Sequence, residues 1–448
     1  MAFHWLAAQL WRHRVAGLMV IMGVTSLLIL LGTHLLQHSS PHEWPKGWSK
    51  IPAKDKKGLP AYAKQRPNKP YQNYRRSDTQ STSAQAEKDA NLHNILRTRT
   101  HAPVVFLKTH KTGGSTVQNL LFRMGEKDRA TFAFPYYTYQ FSYPDKFRAE
   151  FVDELPDGSS QFDILCSHMR LDVEQVKQIM PPNTTYITIL REPLQTFESV
   201  FSYYTSTIPA FTLAKKVAET AEHKSALSVF LESPESFWDP KEPENGLAKN
   251  PMSFDLGLNS QQWNSSWLAD LTLLKETFQL VMIAEHFDES LVLLGALLKL
   301  ELEELAYLRL NTRSPQYVTL LDDITKTRLR AWNRMDVLLY DFFLKLFWEK
   351  AEQYGLERLN RDVTLLRVST DRIRQKCVAR KGVPPEELED FIRPWQTDSV
   401  TILGYQIQGN LTKHEQGFCM RLVLPELQYH AHLYFLQYGR DMRAARTE

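Results

Sequence analysis

VVFLKTHKTGGSTVQNLLFRMGE, residues 104–126, is the stretch on which the fold turns. Val104 to Leu107 is a short β-branched and apolar run behind Pro103, the signature of a buried strand. A polar loop follows, with Lys108, His110, Lys111, Thr112, Gly113, Gly114, Ser115 and Thr116. Val117, Leu120, Leu121 and Met124 then recur at helical spacing, and Gly125 is expected to stop the helix. Strand, glycine-bearing loop and helix together make an anion site. The unpaired N–H groups and positive dipole end of the helix face the loop, glycines admit close backbone approach, and lysine adds full charge. An ordinary strand-to-helix turn with solvated lysines is the plain alternative. It fits poorly with two lysines, a histidine and a glycine pair packed into seven residues. The loop is not a Walker A motif either, because Lys111 precedes the glycines instead of following them.

Two further units repeat the pattern. In FDILCSHMRLDVEQVKQIM, residues 162–180, Phe162 to Cys166 reads as a strand, and Val173, Val176 and Ile179 as a helix face. His168 then falls just past the strand's carboxyl end, where open α/β sheets bind ligands. A lone histidine is more often structural than catalytic; this position, in a chain with an anion loop, favours the catalytic role. In TTYITILREPLQTFESVFSYY, residues 184–204, Tyr186 to Leu190 reads as a strand, Arg191 ends it, and Pro193 suits the first turn of a helix. Ser199 follows Arg191 by eight residues. An arginine at a strand end can grip phosphate with two parallel hydrogen bonds, and its plain alternative is a pair with Glu192. A fourth strand and long helix are expected in QLVMIAEHFDESLVLLGALLKL, residues 279–300. Four βα units imply an α/β fold: a mostly parallel central sheet with helices on both faces. Residues 319–368 read as helical, with Leu329, Trp332, Met335, Leu338 and Phe342 as core positions.

The chain has 448 residues, 43% hydrophobic and 23% charged, within the range of globular proteins. Its net charge of +3 is uneven. Residues 1–36 carry +2 and residues 37–100 carry +8, which leaves −7 for the rest. The basicity therefore belongs to the front of the chain and gives no ground for nucleic-acid binding, and no nucleic-acid partner is expected. Val15 to Leu36 holds no acid, lysine or arginine and is long enough to cross a bilayer. It exceeds a cleaved signal's apolar core and no small-residue cleavage site follows, so a retained signal anchor is expected. Arg12 and Arg14 on one side nearly tie with Lys46 and Lys50 on the other. Three glycosylation triplets, at Asn183, Asn264 and Asn410, are compatible with a lumenal C-terminal part. The expected organisation is a cytosolic tail (1–14), a transmembrane anchor (15–36), a flexible lumenal stem (37–100) and one catalytic domain (101–448). The stem is too polar to offset its ordering entropy. Of three cysteines, Cys166 sits in an apolar run and is expected buried and free, while Cys377 and Cys419 share the C-terminal quarter and are expected to pair.

In their order, these units resemble sulfotransferases that use 3′-phosphoadenosine 5′-phosphosulfate (PAPS). More closely, FLKTHKT with Ser115-Thr116, the CSHMR run from Cys166, AEHFDESLVLL (284–294) and LPELQY (424–429) resemble the galactose 3-O-sulfotransferases of the Golgi. The likeness runs from about residue 103 to residue 439 and departs at Gly113-Gly114, where Ala-Ser is expected, and at Glu192, where Asp is expected. The resemblance implies a P-loop-like sulfotransferase fold, PAPS as donor, a β-galactoside acceptor and a single-pass type II Golgi membrane protein. It assigns Lys111 through Thr116 to the phosphosulfate, and Arg191 with Ser199 to the 3′-phosphate. His168, 23 residues before Arg191, is the first choice as general base and His110 the alternative. Lys111 would stabilise the leaving phosphate, Lys108 and His110 would touch sulfate or acceptor, and Arg313 in LRLNTRSP (308–315) would close over the nucleotide. No metal is expected. A P-loop phosphotransferase, a sulfotransferase for another sugar hydroxyl, and a non-enzymatic membrane-anchored glycan-binding protein are the rival readings.

Overall fold

The structure is a computed structural model that describes residues 101–136, 138–220, 225–261 and 266–442. The expected tail, anchor and stem, and the Asn264 triplet, lie outside these residues. Among the described residues no helix is long and apolar enough to cross a membrane.

The core is a four-stranded parallel sheet in the order β2-β1-β3-β4, formed by β1 (Val104–Leu107), β2 (Ile164–Leu165), β3 (Thr185–Leu190) and β4 (Leu280–Ile283). Every residue of β1, β2 and β4 is buried, so helices cover both faces, as a parallel sheet requires. The four units expected from the sequence are the four strands. The second is shorter than expected: only Ile164 and Leu165 pair with Val104 and Val105. Each strand feeds a helix: α1 (Gly114–Asp128), α2 (Val173–Lys177), α3 (Pro193–Tyr204) and, later, α8 (Phe287–Leu298). Between α3 and β4 lie α4 (Pro209–Ala218), α5 (Ala226–Glu232), α6 (Pro251–Asp255) and α7 (Trp267–Thr277).

Gly125 does not stop α1, which runs on to Asp128. A Cβ at that position would come within 2.3 Å of Phe132 Cζ and 2.7 Å of Ile164 Cδ1. The glycine is there to let the helix lie against its neighbours, and the chain leaves the helix at Arg129 in the left-handed region.

After α8 comes a two-residue strand, β5 (Thr312–Arg313). The segment read as continuous helix is instead three helices, α9 (Asp323–Trp332), α10 (Arg334–Tyr354) and α11 (Leu356–Cys377). Asn333 and Gly355 break it, and it begins only after Asp322 caps α9 by accepting the Thr325 N–H. Leu329, Trp332 and Met335 are buried as expected, while Leu339 and Phe343 take the inward places expected of Leu338 and Phe342. A second, antiparallel sheet was not read from the sequence. It has the order β5-β7-β6, with β6 Val378–Val383 and β7 Ile402–Ile407. Helices α12 (Lys413–Val423) and α13 (Glu426–Tyr438) close the chain. Cys377 and Cys419 form a disulfide with Cα atoms 5.1 Å apart, which ties the end of α11 to α12 beside this sheet, and Cys166 is free and buried. Asn183 and Asn410 are both exposed.

Candidate active site

The loop between β1 and α1 is built from its own hydroxyls outward. Thr109 Oγ1 donates to the Ile189 carbonyl on β3 at 2.5 Å and lies 2.8 Å from Thr112 Oγ1, pinning the loop to the sheet. Lys111 and Gly113 adopt positive φ, 62° and 91°, and the chain enters α1 at Gly114. No side chain caps α1 and no acid occupies its first turn, so the first-turn N–H groups remain open to a ligand. The Gly113 conformation is one that side chains with a Cβ rarely adopt, which gives the first departure from the expected Ala-Ser its physical meaning. The second has another cause. A Cβ at Gly114 would lie 2.9 Å from Lys108 Cγ, because the Lys108 side chain passes directly beneath the helix start.

Lys108 therefore does not reach the open site, contrary to the expectation that it touches sulfate or acceptor. Its ammonium is buried and pairs with Glu426 at the start of α13, and Glu426 Oε2 also accepts the Ser115 hydroxyl at 3.1 Å. Burial pushes the Lys108 ammonium below its ordinary value, with Glu426 opposing. This ion pair fastens the loop from below.

Lys111 points the other way, with Nζ 3.6 Å from the Tyr203 ring centroid. Burial first, then the charges of Arg313, Arg191 and Lys108, push it down to about 7. Arg191 donates to the Lys111 carbonyl at 3.1 Å and to Gln195 at 3.1 Å. Glu192, its expected alternative partner, instead caps α3 by accepting the Gln195 N–H. Ser199 is buried on α3. Arg313 donates to Glu198 at 2.6 Å, both side chains largely buried, while its second terminal nitrogen is buried without a hydrogen-bond partner. The 308–315 segment lies over the loop as expected: the Leu310 N–H donates to Thr116 Oγ1 at 3.1 Å. Three cations thus converge at an open helix end, with one buried guanidinium nitrogen unpaired. A group with several anionic oxygens is what such a cradle fits.

Beside the cradle lie two imidazoles. His168 Nδ1 is 2.8 Å from the Lys108 carbonyl, which can only accept, so Nδ1 carries a proton and Nε2 is the accepting nitrogen of the neutral ring. Burial, Lys108 and then His110 push the His168 imidazolium well below its ordinary range. His110 stacks on it, centroids 4.1 Å apart and planes 14° off parallel. Its Nδ1 lies 3.0 Å from both oxygens of Asp255, and its backbone N–H donates to Asp255 at 2.7 Å. Tyr143 donates its hydroxyl to the same carboxylate at 2.8 Å.

Asp255, Tyr143, Glu426, Glu198 and Tyr203 were missed in the sequence. Each stands outside the βα motifs or on their far side, and nothing in its local pattern marks it.

An open parallel sheet with a polyanion cradle and a paired imidazole at the strand ends defines a group-transfer enzyme for an anionic donor. Sequence comparison narrows the class. Residues 61–437 match the profile of the galactose-3-O-sulfotransferase family, beginning inside the segment expected to be a stem. The chain is 37% identical to galactosylceramide sulfotransferase of Mus musculus over 331 residues, 73% of this chain and 76% of that protein. It is 36% identical to galactose-3-O-sulfotransferase 3 of Bos taurus over 359 residues, covering 78% and 82%. It is 38% identical to galactose-3-O-sulfotransferase 2 of Homo sapiens over 344 residues, covering 75% and 83%. The chain belongs to the galactose-3-O-sulfotransferase family and is a sulfotransferase, which sets aside the phosphotransferase and glycan-binding readings.

Proposed function

We propose that the protein transfers a sulfuryl group from PAPS to the 3-hydroxyl of a terminal β-galactose on a glycolipid or glycoprotein glycan. The observation that carries this reading is the convergence of Lys111, Arg191 and Arg313 at the uncapped start of α1, one strand end away from a carboxylate-held imidazole. PAPS supplies the sulfuryl group: the acceptor oxygen bonds to sulfur as the sulfur–oxygen bond to the 5′-phosphate breaks, releasing adenosine 3′,5′-bisphosphate.

The remaining work belongs to side chains. The open N–H groups of α1 and the Ser115 and Thr116 hydroxyls hold the phosphosulfate end, and Arg191 with Ser199 holds the 3′-phosphate. Arg313 closes over the nucleotide. Lys111 faces the charge that grows on the leaving phosphate, where fixed donors act most strongly. His110 takes the hydroxyl proton. The sequence put His168 first, but its protonated form is opposed by burial and the Lys108 charge, whereas His110 has the carboxylate. His168 stays neutral behind it. We further propose that residues 15–36 anchor the enzyme in the Golgi membrane as a type II protein, with residues 37–100 as the stem. The exposure of Asn183 and Asn410 is consistent with a lumenal catalytic domain.

The test is to incubate the purified protein with labelled PAPS and a panel of β-galactosides and to locate the sulfate by linkage analysis. Label at galactose O3, lost in Lys111→Ala, is expected. Label at another hydroxyl supports the alternative acceptor position, and no transfer to any galactoside overturns the assignment.

A further inference from the structure

The stacked imidazoles share one carboxylate, and its construction is unusual for a residue whose only task is to hold a loop. Asp255 is fully buried and accepts from the His110 backbone N–H, from the His110 ring and from the Tyr143 hydroxyl. A buried carboxylate is costly unless its oxygens are satisfied, and these are. Its platform is rigid as well. Helix α6 is held by a second buried carboxylate, Asp336, which accepts the Met252 and Ser253 N–H groups and the Ser253 hydroxyl at 3.0, 2.8 and 2.7 Å. The Leu171 N–H donates to the Asp255 carbonyl at 2.8 Å, joining α6 to the segment that carries His168.

We propose that Asp255 is a positioning residue for sulfuryl transfer, acting through His110, with Tyr143 as the group that sets its orientation and strength. Because Nδ1–H of His110 is committed to Asp255, Nε2 is left to take the acceptor's hydroxyl proton; Nδ1 keeps its own, and the carboxylate stays ionised and balances the new charge. Two parallel imidazoles cannot both hold charge at this distance without repulsion. Asp255 lies on the side of His110, and Lys108 and Lys111 lie on the side of His168, so the proton belongs to His110. Tyr204 also faces His110, at 5.9 Å between centroids, and Arg170 lies near Asp255 with its guanidinium over Phe254. None of these other groups changes in the variants below.

This inference rests on His110 being the base, and the experiment separates the two claims. In the full-chain enzyme, kcat and KM are measured across pH with PAPS and lactose. By analogy with triads in which the carboxylate is neutralised, Asp255→Asn is expected to lower kcat by about 10²- to 10⁴-fold. The KM for PAPS should stay within about threefold, as for a group acting only in the transition state. The acid limb of kcat should move to lower pH, because the imidazolium loses its counter-charge. Tyr143→Phe removes a donor from the carboxylate and strengthens its hold on the ring. Its acid limb should move the opposite way, to higher pH, with kcat lowered about 3- to 10-fold. In a His110→Ala background, Asp255→Asn should cost nothing further, since residues acting as a unit are not additive. An unmoved acid limb in Asp255→Asn, or a further loss of tenfold or more in the double variant, overturns the positioning role while leaving the base intact. Wild-type kcat in His110→Ala overturns both. Should Asp255→Asn fail to fold, Tyr143→Phe decides alone: an acid limb that stays or moves down contradicts the proposal.

Discussion

The two ends of α1 carry charge in opposite ways. At the C-terminal end, Glu126 receives two hydrogen bonds from Arg421, both at 2.8 Å, and one from Tyr429 at 2.7 Å. Burial pushes that carboxyl up, but hydrogen bonds from His432, Arg421 and Tyr429 together hold it down to about 2. At the N-terminal end, Lys111 is pushed down to about 7 by burial and by neighbours of its own sign. One end has its charges paired and joins α1 to α12 and α13. The other keeps like charges together and is relieved only by an anion from outside. Within one helix, satisfied electrostatics serve stability and unsatisfied electrostatics mark the site.

That contrast can be broken at either end. Lys111→Ala should have the largest effect, lowering kcat by about 10²- to 10³-fold as for loss of one transition-state donor, while melting no lower than the wild type in a thermal scan. Glu126→Gln should do the reverse. The depressed carboxyl contributes stability above its ordinary range near 4.5 that is lost as pH falls toward 2, so the variant is expected to lose about 2 to 3 kcal/mol at neutral pH in urea unfolding, with kcat unchanged. The pH dependence of ligand binding sharpens the comparison. Lys111 must be charged to hold the donor, so calorimetric binding of adenosine 3′,5′-bisphosphate should weaken about tenfold or more between pH 6 and pH 9. Lys111→Arg, charged throughout, should flatten that dependence. Gly114→Ala, which forces the Lys108 side chain aside, is expected to cost only about 1 kcal/mol on the same unfolding measurement.

What the sequence disclosed follows from what is local. β1, β3 and β4 are short apolar runs behind turn residues, and the loop after β1 concentrates its chemistry in nine positions. The second strand was overread because Phe162 and Cys166 are buried without pairing in the sheet, and burial is all that an apolar run reports. Lys108 and Lys111 are indistinguishable as letters three apart. Only the fold shows that Lys108 runs inward to Glu426 and Lys111 outward to Tyr203. Asp255 is 145 residues from His110 and Glu426 is 311 from Ser115, and each sits in a segment with no periodic signal of its own. A carboxylate's role here is defined by what it accepts from, which no local pattern records. Arg313 was within reach because it lies in a basic turn, yet what places it is the unread antiparallel sheet, where it pairs with Ile402 of β7.

The most direct test of the charge asymmetry is a pair of melting curves, with and without adenosine 3′,5′-bisphosphate, for the wild type and Lys111→Ala. A ligand at 100 times its Kd stabilises the folded state by about 2.7 kcal/mol, so the wild-type midpoint should rise by several degrees. Lys111→Ala should melt at or above the wild-type temperature without ligand and show little rise with it. A variant that melts lower without ligand, or that keeps the full rise, would contradict the assignment of Lys111 to an anion site held in reserve.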